Sequence, residues 1–343
     1  MRNQASWGEI RRPLAAGLIL GLSVLLLSVA ALGGAPEEVT VLPASPTPVA
    51  VPTAPPGEWD GGQTIRVLLD GGEVEEMTMA DYLWRVVAAE MPASFEAEAL
   101  RAQAVCARTY SIWKLSAGSH REDGADICAD SSCCQAYITP DAAAQRWGDA
   151  ADAYAAKLAA AVADTDGQIA AYDGAPIQAV FFSSASGSTE DASAVWGQAL
   201  PYLVSVDSPE GEEVPNYHST VTLTADEVRT LAQDSGIGAD LSGDPAEWFS
   251  GISRTASGRV ASLELGGAVL SGGAARSLFS LRSASFDVSE EDGVFTFSVT
   301  GYGHGVGLSQ YGANAMARAG SSWQEIICHY YTGAEIQTAP LPE

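Results

Sequence analysis

Lysine is nearly absent from this 343-residue chain: Lys114 and Lys157 are the only two, and fifteen arginines bring the basic total to 17 against 43 acids. The formal charge of −26, with the four histidines neutral, repels polyphosphates. Nucleic acid is thereby excluded as the main partner, and phosphate-rich wall polymers are poor substrates. Also missing are a Gly-x-Ser-x-Gly elbow and a His-Glu-x-x-His pair, so neither of those hydrolase signatures is available. The glycine-rich stretch Gly301–Gly312 has no Lys to hold a nucleotide phosphate, and its glycines do not fit a dinucleotide fingerprint. No internal repeat and no regular strand–helix–strand alternation is visible, which argues against a doubly wound sheet. What is plentiful is apolar side chain, 47%, too much for a disordered acidic chain. About 300 residues can form one large domain or two modest ones.

The basic residues are also unevenly placed. Arg2, Arg11 and Arg12 precede an uncharged run from Leu14 to Ala35, 22 residues long, and a membrane-spanning helix needs roughly 20. Glu37 and Glu38 follow it, so the positive-inside rule places the N-terminus in the cytoplasm and the rest outside. A cleaved signal peptide, cut near Leu32-Gly33-Gly34-Ala35, is the alternative. Residues 36–60 hold seven of the seventeen prolines and read as an extended, polyproline-like spacer. Setting aside Glu9 and the three N-terminal arginines leaves 42 acids against 14 bases outside, a charge of about −28.

Residues 61–343 read as a single α+β domain, with a helical active-site region and antiparallel strands. A strand fits Gln63–Leu69, and Thr78 with Asp81 three residues on caps a helix that Pro92 stops. Ser94 is the expected cap of a second helix, Phe95 to about Trp113. A loop rich in Asp, Ser and Cys, 117–136, precedes an Ala-rich helix, 141–164. A hairpin follows: Gln168–Tyr172, an Asp173-Gly174 turn, and Ala175–Ser183. Strands with one capped helix (Thr224 with Glu227) fill 203–300, and helices Ser309–Ala319 and Ser322–Tyr331 end the chain.

Three groups of residues have chemistry to offer. Glu90 stands in Val86-Val87-Ala88-Ala89-Glu90-Met91-Pro92, a carboxyl on an apolar stretch at a helix end, where burial raises the pKa toward that of a general acid. The competing reading has Glu90 capping the next helix or pairing with Arg101 or Arg108, and the acid role requires desolvation by neighbours such as Trp84 and Phe95. His120, Cys128, Cys133 and Cys134 supply imidazole and thiolates suited to Zn²⁺, while outside the cytoplasm a Cys128–Cys133 or Cys128–Cys134 disulfide is equally open. In Gly301–Gly312, glycines alternating around His304 allow close backbone approach to a ligand and a fixed imidazole; a tight turn with a structural histidine is the plainer account. No second carboxylate is singled out for a two-carboxylate glycosidase.

Tyr82-Leu83-Trp84-Arg85-Val86-Val87-Ala88-Ala89-Glu90-Met91-Pro92, followed by Glu98-Ala99-Leu100-Arg101-Ala102-Gln103-Ala104-Val105-Cys106-Ala107-Arg108-Thr109-Tyr110, resembles the stage II sporulation protein D family. Cys134-Gln135-Ala136-Tyr137, Trp196-Gly197, Pro201-Tyr202-Leu203, Leu281-Arg282-Ser283, the Gly301–Gly312 loop and His329-Tyr330-Tyr331-Thr332-Gly333 occur in the family's order. The resemblance covers most of 61–335. It implies a membrane-anchored lytic transglycosylase that cuts peptidoglycan glycan strands freed of stem peptides during the engulfment step of sporulation. Glu90 then matches the catalytic acid/base and Arg108 an active-site arginine. Substrate contacts are expected from His304, Gln310 and Tyr311. His120, Cys128 and Cys134 match the ligands of zinc-binding members, which favours metal over disulfide. A sporulation amidase and membrane proteins of the engulfment machinery are the implied partners. The family also includes amidase enhancers, so a non-catalytic wall module that activates a separate amidase is the alternative. The chain departs from the family pattern where Cys133 adjoins Cys134, where Ser186 replaces a glycine in a stretch without a basic residue, and where Cys106 replaces a small alanine.

Overall fold

The computed structural model describes residues 57–118 and 124–340. The expected anchor 14–35, most of the spacer and His120 lie outside them; among the described residues no helix is long and apolar enough to cross a membrane. The last residues assigned to the spacer belong to the folded body. Helix α1 (Glu58–Gly62) is held by the Asp166 carboxylate, which accepts from the Trp59 and Asp60 amides at 3.0 and 2.8 Å, and by the Trp59 indole, which donates to the Ala339 carbonyl.

The strand Thr64–Leu68 pairs antiparallel with Val74–Thr78. Thr78 caps α2 (Met79–Glu90), its hydroxyl accepting from the Asp81 amide as the sequence predicts. Tyr82, Leu83, Val86 and Val87 are buried at helical spacing, and α2 ends where Pro92 excludes a further helical residue. Helix α3 (Ala97–Ala117) begins later than expected. Ser94 lies in a turn that Phe95 closes onto the Pro92 carbonyl, and Glu96 takes the cap position without a side-chain bond. Its amide instead donates to Asn314 Oδ1 at 2.8 Å, a tertiary partner that local sequence cannot reveal.

The Ala-rich segment divides. Helix α4 (Pro140–Trp147), capped by Thr139, meets Gly148 at φ +55° and ψ −129°, where only glycine is comfortable. Helix α5 (Ala151–Ala163) resumes after a short 3-10 turn. Gln168–Tyr172 pairs with Glu335–Thr338 and with only Ala175–Pro176; proline cannot donate to a ladder, so the expected second hairpin strand stops there. Phe181–Phe182 pairs in parallel with Leu308–Ser309, and Ile127–Cys128 in parallel with Thr64–Leu68. The strands are therefore not all antiparallel, because both pairings join segments distant in sequence. Helix α6 (Ala192–Trp196) follows.

Strand His218–Thr224 leads into α7 (Ala225–Ser235) through a capping box between Thr224 and Glu227, then pairs with Val294–Thr300, which pairs with Phe286–Glu291. A second antiparallel sheet joins Phe249–Arg254, Val260–Leu265 and Ala268–Ser271, and α8 (Gly272–Leu278) covers it. Helices α9 (Gln310–Arg318) and α10 (Trp323–Tyr330) return to the first region, each starting on a serine cap. Among the described residues the apolar interior forms two clusters. One is centred on α3, buried almost without interruption from Ala99 to Ser111 and packed by α2, α5, α9 and α10. The other lies between the strands of 218–300 and α7 and α8.

Candidate active site

Glu90 ends α2 at the rim of the helical core and is partly buried. Its Oε1 accepts from the Ala136 amide at 2.6 Å, and the Gln310 side chain donates to the same carboxyl. Burial pushes the Glu90 carboxyl above its ordinary value, and those two hydrogen bonds, which favour the ionised form, do not cancel it. No carboxylate is among the causes of the shift, so a shared proton between two acids is not the origin. Three segments distant in sequence supply this arrangement: the end of α2, the cysteine loop and the first residue of α9.

Neither expected arginine partner reaches Glu90. Arg101 pairs with Glu98 and Asp164 at the surface. Arg108 is 0% exposed, and its guanidinium grips Asp60 with two bonds of 2.8 and 2.5 Å. It also donates to the Gln168 carbonyl at 3.0 Å and lies within reach of Thr165 and the Val162 carbonyl. Arg108 therefore ties α1 to the helical core, and its expected place at the active site is corrected. A buried arginine needs a matching carboxylate, which came from a segment assigned to the spacer.

Gln310, expected to touch substrate, instead bonds Glu90: it is buried, and its amide also donates weakly to Gln103 Oε1 at 3.4 Å. Tyr311 packs edge-on against Phe95, ring centres 4.9 Å apart, and with Pro92, Ser94, Asn314 and Arg318 lines a groove that Glu90 and Gln310 themselves do not line. His304 is a different case. Its Nδ1 accepts from the Val306 amide at 3.1 Å and its Nε2 faces the Phe181 carbonyl at 3.0 Å, so both nitrogens are engaged by the chain itself. Burial lowers its pKa to about 4, keeping the ring neutral, and Trp196 and Phe182 cover its faces. Substrate contact through its nitrogens is thus replaced by the structural role. The loop's glycines also serve the chain: a Cβ on Gly307 would lie 2.1 Å from the Val180 carbonyl, and one on Gly303 2.7 Å from Phe182.

The cysteine loop adjoins the carboxyl. Cys128, Cys133 and Cys134 bring their sulfurs within 4.8 Å of one another, and all five cysteines are thiols. The parallel strand Ile127–Cys128 and the turn in which the Cys133 and Cys134 amides donate to the Asp130 carbonyl set this spacing. Three soft donors at such separation suit Zn²⁺, and the cluster includes Cys133 as well as the expected Cys128 and Cys134. Two residues later Ala136 meets Glu90. Sequence reasoning missed both this amide and Gln103. A backbone donor has no signature, but a lone glutamine in Ala102-Gln103-Ala104-Val105 of a buried helix signals a buried polar contact.

Residues 70–172 match the Stage II sporulation protein family. Over 267 residues, covering 78% of this chain and 76% of the relative, the chain is 38% identical to stage II sporulation protein D of Bacillus amyloliquefaciens. The chain belongs to the stage II sporulation protein D family. With the Bacillus subtilis (strain 168) protein of that name the identity is 37% over the same shares. An amidase enhancer of Bacillus subtilis is 28% identical over 73% of this chain and 39% of its own length. The family match spans Glu90, the cysteine loop and Arg108, whereas the α9 segment lies outside it.

Proposed function

We propose that the protein is a lytic transglycosylase acting on peptidoglycan glycan strands stripped of stem peptides, with Glu90 as its single acid/base. The observation that carries this reading is the desolvated Glu90 carboxyl, raised in pKa and held by the Ala136 and Gln310 donors. As an acid, Glu90 gives its proton to the glycosidic oxygen as the C1–O bond breaks. As a carboxylate, it removes the proton of the muramic C6 hydroxyl, whose oxygen bonds to C1 and closes a 1,6-anhydro ring without water. One group serves both steps, so no second carboxyl is required. Gln310 keeps the carboxyl turned outward, and Tyr311 with Phe95 offers a ring surface for sugar.

Cys128, Cys133 and Cys134, with His120 from the same loop, would hold Zn²⁺. With four protein ligands the tetrahedral site would be closed, so the bound ion would cross-link the loop. The chain's own contribution is that the clamped loop holds Ala136 N–H on Glu90. The protein is placed at the cell membrane by its N-terminal segment, with the catalytic body outside and a wall amidase and engulfment proteins as partners. The amidase-enhancer name of one relative supports a second reading in which the protein binds glycan through the Tyr311 groove and stimulates that amidase.

Full-length protein incubated with stem-free glycan separates the two. Anhydro-muramic products from wild type and none from Glu90→Gln support the transglycosylase. Absence of products together with stimulation of an added amidase supports the enhancer. Metal analysis should find close to one zinc per chain, lost in Cys128→Ser; metal-free wild-type protein would remove the zinc from the reading.

A further inference from the structure

The second hydrophobic region carries a charged group that the reading above does not use. Arg259 follows the Ser257-Gly258 turn, is 2% exposed, and none of its three guanidinium nitrogens has a hydrogen-bond partner. A buried guanidinium with its donors unmet is costly, and such groups in folded proteins normally have partners. The two nearest carboxylates are committed elsewhere. Glu190 accepts from the Asp191 amide at 3.0 Å and from the Thr255 and Ser257 hydroxyls at 2.6 and 2.5 Å. Glu210 accepts from the Ala185 amide at 2.6 Å, from Ser208 at 2.5 Å and from Ser309. They offset the charge through space and leave the fork open.

That fork faces a pocket also lined by Arg276, Thr255, Gly272, Gly303 and His304. The fit is close: a Cβ on Gly305, at φ +90°, would lie 2.4 Å from Arg259 Cζ, so a glycine is required where the loop crosses the guanidinium. Arg276 adds a second positive charge, one nitrogen of which donates to the Leu281 carbonyl. At the rim, Val195 lines the pocket and Trp196 beside it is 44% exposed, its ring 5.3 Å from that of His304. In a chain of charge −26, two arginines converge on one pocket whose lining holds a single carboxylate, Glu190, already committed to other donors.

We propose that this pocket binds a carboxylate borne by a sugar, the Arg259 fork taking the carboxylate oxygens and the Trp196 indole the sugar face. Planar guanidinium matches carboxylate with paired bonds, and an exposed ring beside it favours a ligand with one charged group on an apolar-faced body. The inference rests on the glycan reading, under which the ligand is the lactyl carboxylate of a muramic residue in a stem-free strand. It explains how so acidic a protein holds an anionic polymer: the net repulsion is overcome at one place.

The test measures equilibrium binding of full-length protein to stem-free glycan oligomers and to the same oligomers with lactyl carboxylates converted to methylamides, with a neutral chitooligosaccharide as reference. Wild type should bind the acidic oligomer about tenfold or more tightly than the amide. Arg259→Met and Arg276→Gln should each reduce that preference toward one while binding of the neutral oligomer stays as in wild type. Equal affinity of wild type for acid and amide overturns the proposal, and this arm needs no variant to fold. Preference for the acid without anhydro products would leave the carboxylate pocket standing and the transglycosylase failing. Products with no preference would do the reverse.

Discussion

Fourteen of the forty buried residues around α3 are alanine, whereas between the strands of 218–300 only two of fifteen are, and five are rings. Ala99, Ala102, Ala104 and Ala107 on α3 let neighbouring helices come close, and that proximity brings buried polar groups on different elements into bonding distance. Arg108 reaches Asp60, Thr109 accepts from the Ala170 amide at 2.9 Å, and Gln310 spans Gln103 and Glu90. In the strand region Phe279, Phe295 and Phe297 fill the space with one another and with Trp248 and Phe249, and polar groups stay at its border. Close backbones make a place where a carboxyl can be desolvated and still held; large rings make a stiff support. The desolvated Glu90 carboxyl therefore belongs to the alanine-rich region, and the aromatic region presents the Arg259 pocket at its edge.

The sharpest test of this contrast is Glu90→Gln. It should reduce glycan cleavage about 10²–10⁴-fold, the usual contribution of a general acid, while the protein remains folded by circular dichroism. Its pH behaviour has a defined sign. Because the folded pKa of Glu90 lies above the value of 4.5 for a free carboxyl, its stabilising contribution is complete below that value and is lost as pH rises through the folded pKa. The melting temperature of Glu90→Gln relative to wild type should therefore rise between about pH 4 and pH 7. A difference that stays flat or falls would show that Glu90 is not desolvated.

Stability effects come next. Asp60→Ala leaves the Arg108 charge buried and unpaired, and should cost about 3–5 kcal/mol in denaturant unfolding. A loss under 1 kcal/mol would mean that α1 is not part of the core and would restore the spacer to its full predicted length. Phe297→Ala, at a fully buried ring, should also cost about 3–5 kcal/mol. Its effect on cleavage should be confined to the fraction unfolded, since no ring of that cluster touches Glu90; a changed kcat in folded protein would break the division between chemistry and support.

The smallest effects compare the two regions most directly. Thr224 and Ser322 each close a capping box, one at the strand region and one at the helical region. Either residue replaced by alanine should cost about 1 kcal/mol. Because Gly301–Gly312 bonds to both regions, with Gly301 donating to Tyr217 and Leu308 to Val180, both variants should lower one shared calorimetric transition. Two transitions, each moved by one variant only, would show that the regions unfold separately.

Sequence by itself determined the elements whose signals are local. Thr78 with Asp81, Thr224 with Glu227 and Ser322 with Glu325 mark helix starts by bonds that span three residues, and Asp173-Gly174 marks its turn through positive φ. It also singled out Glu90, a carboxyl in an apolar run, and the cysteines of the loop. Tertiary structure alone decided the partners. Asp60 came to Arg108 across 48 residues, Ala136 to Glu90 across 46, and Asn314 displaced Ser94 from the start of α3 across 218 from Glu96. It also closed the Gly301–Gly312 loop onto its own chain, leaving His304 structural and Arg259 with open donors. The physical reason is one of reach: a cap or turn is satisfied within a few residues, whereas a buried charge takes whichever complementary group the fold brings to it.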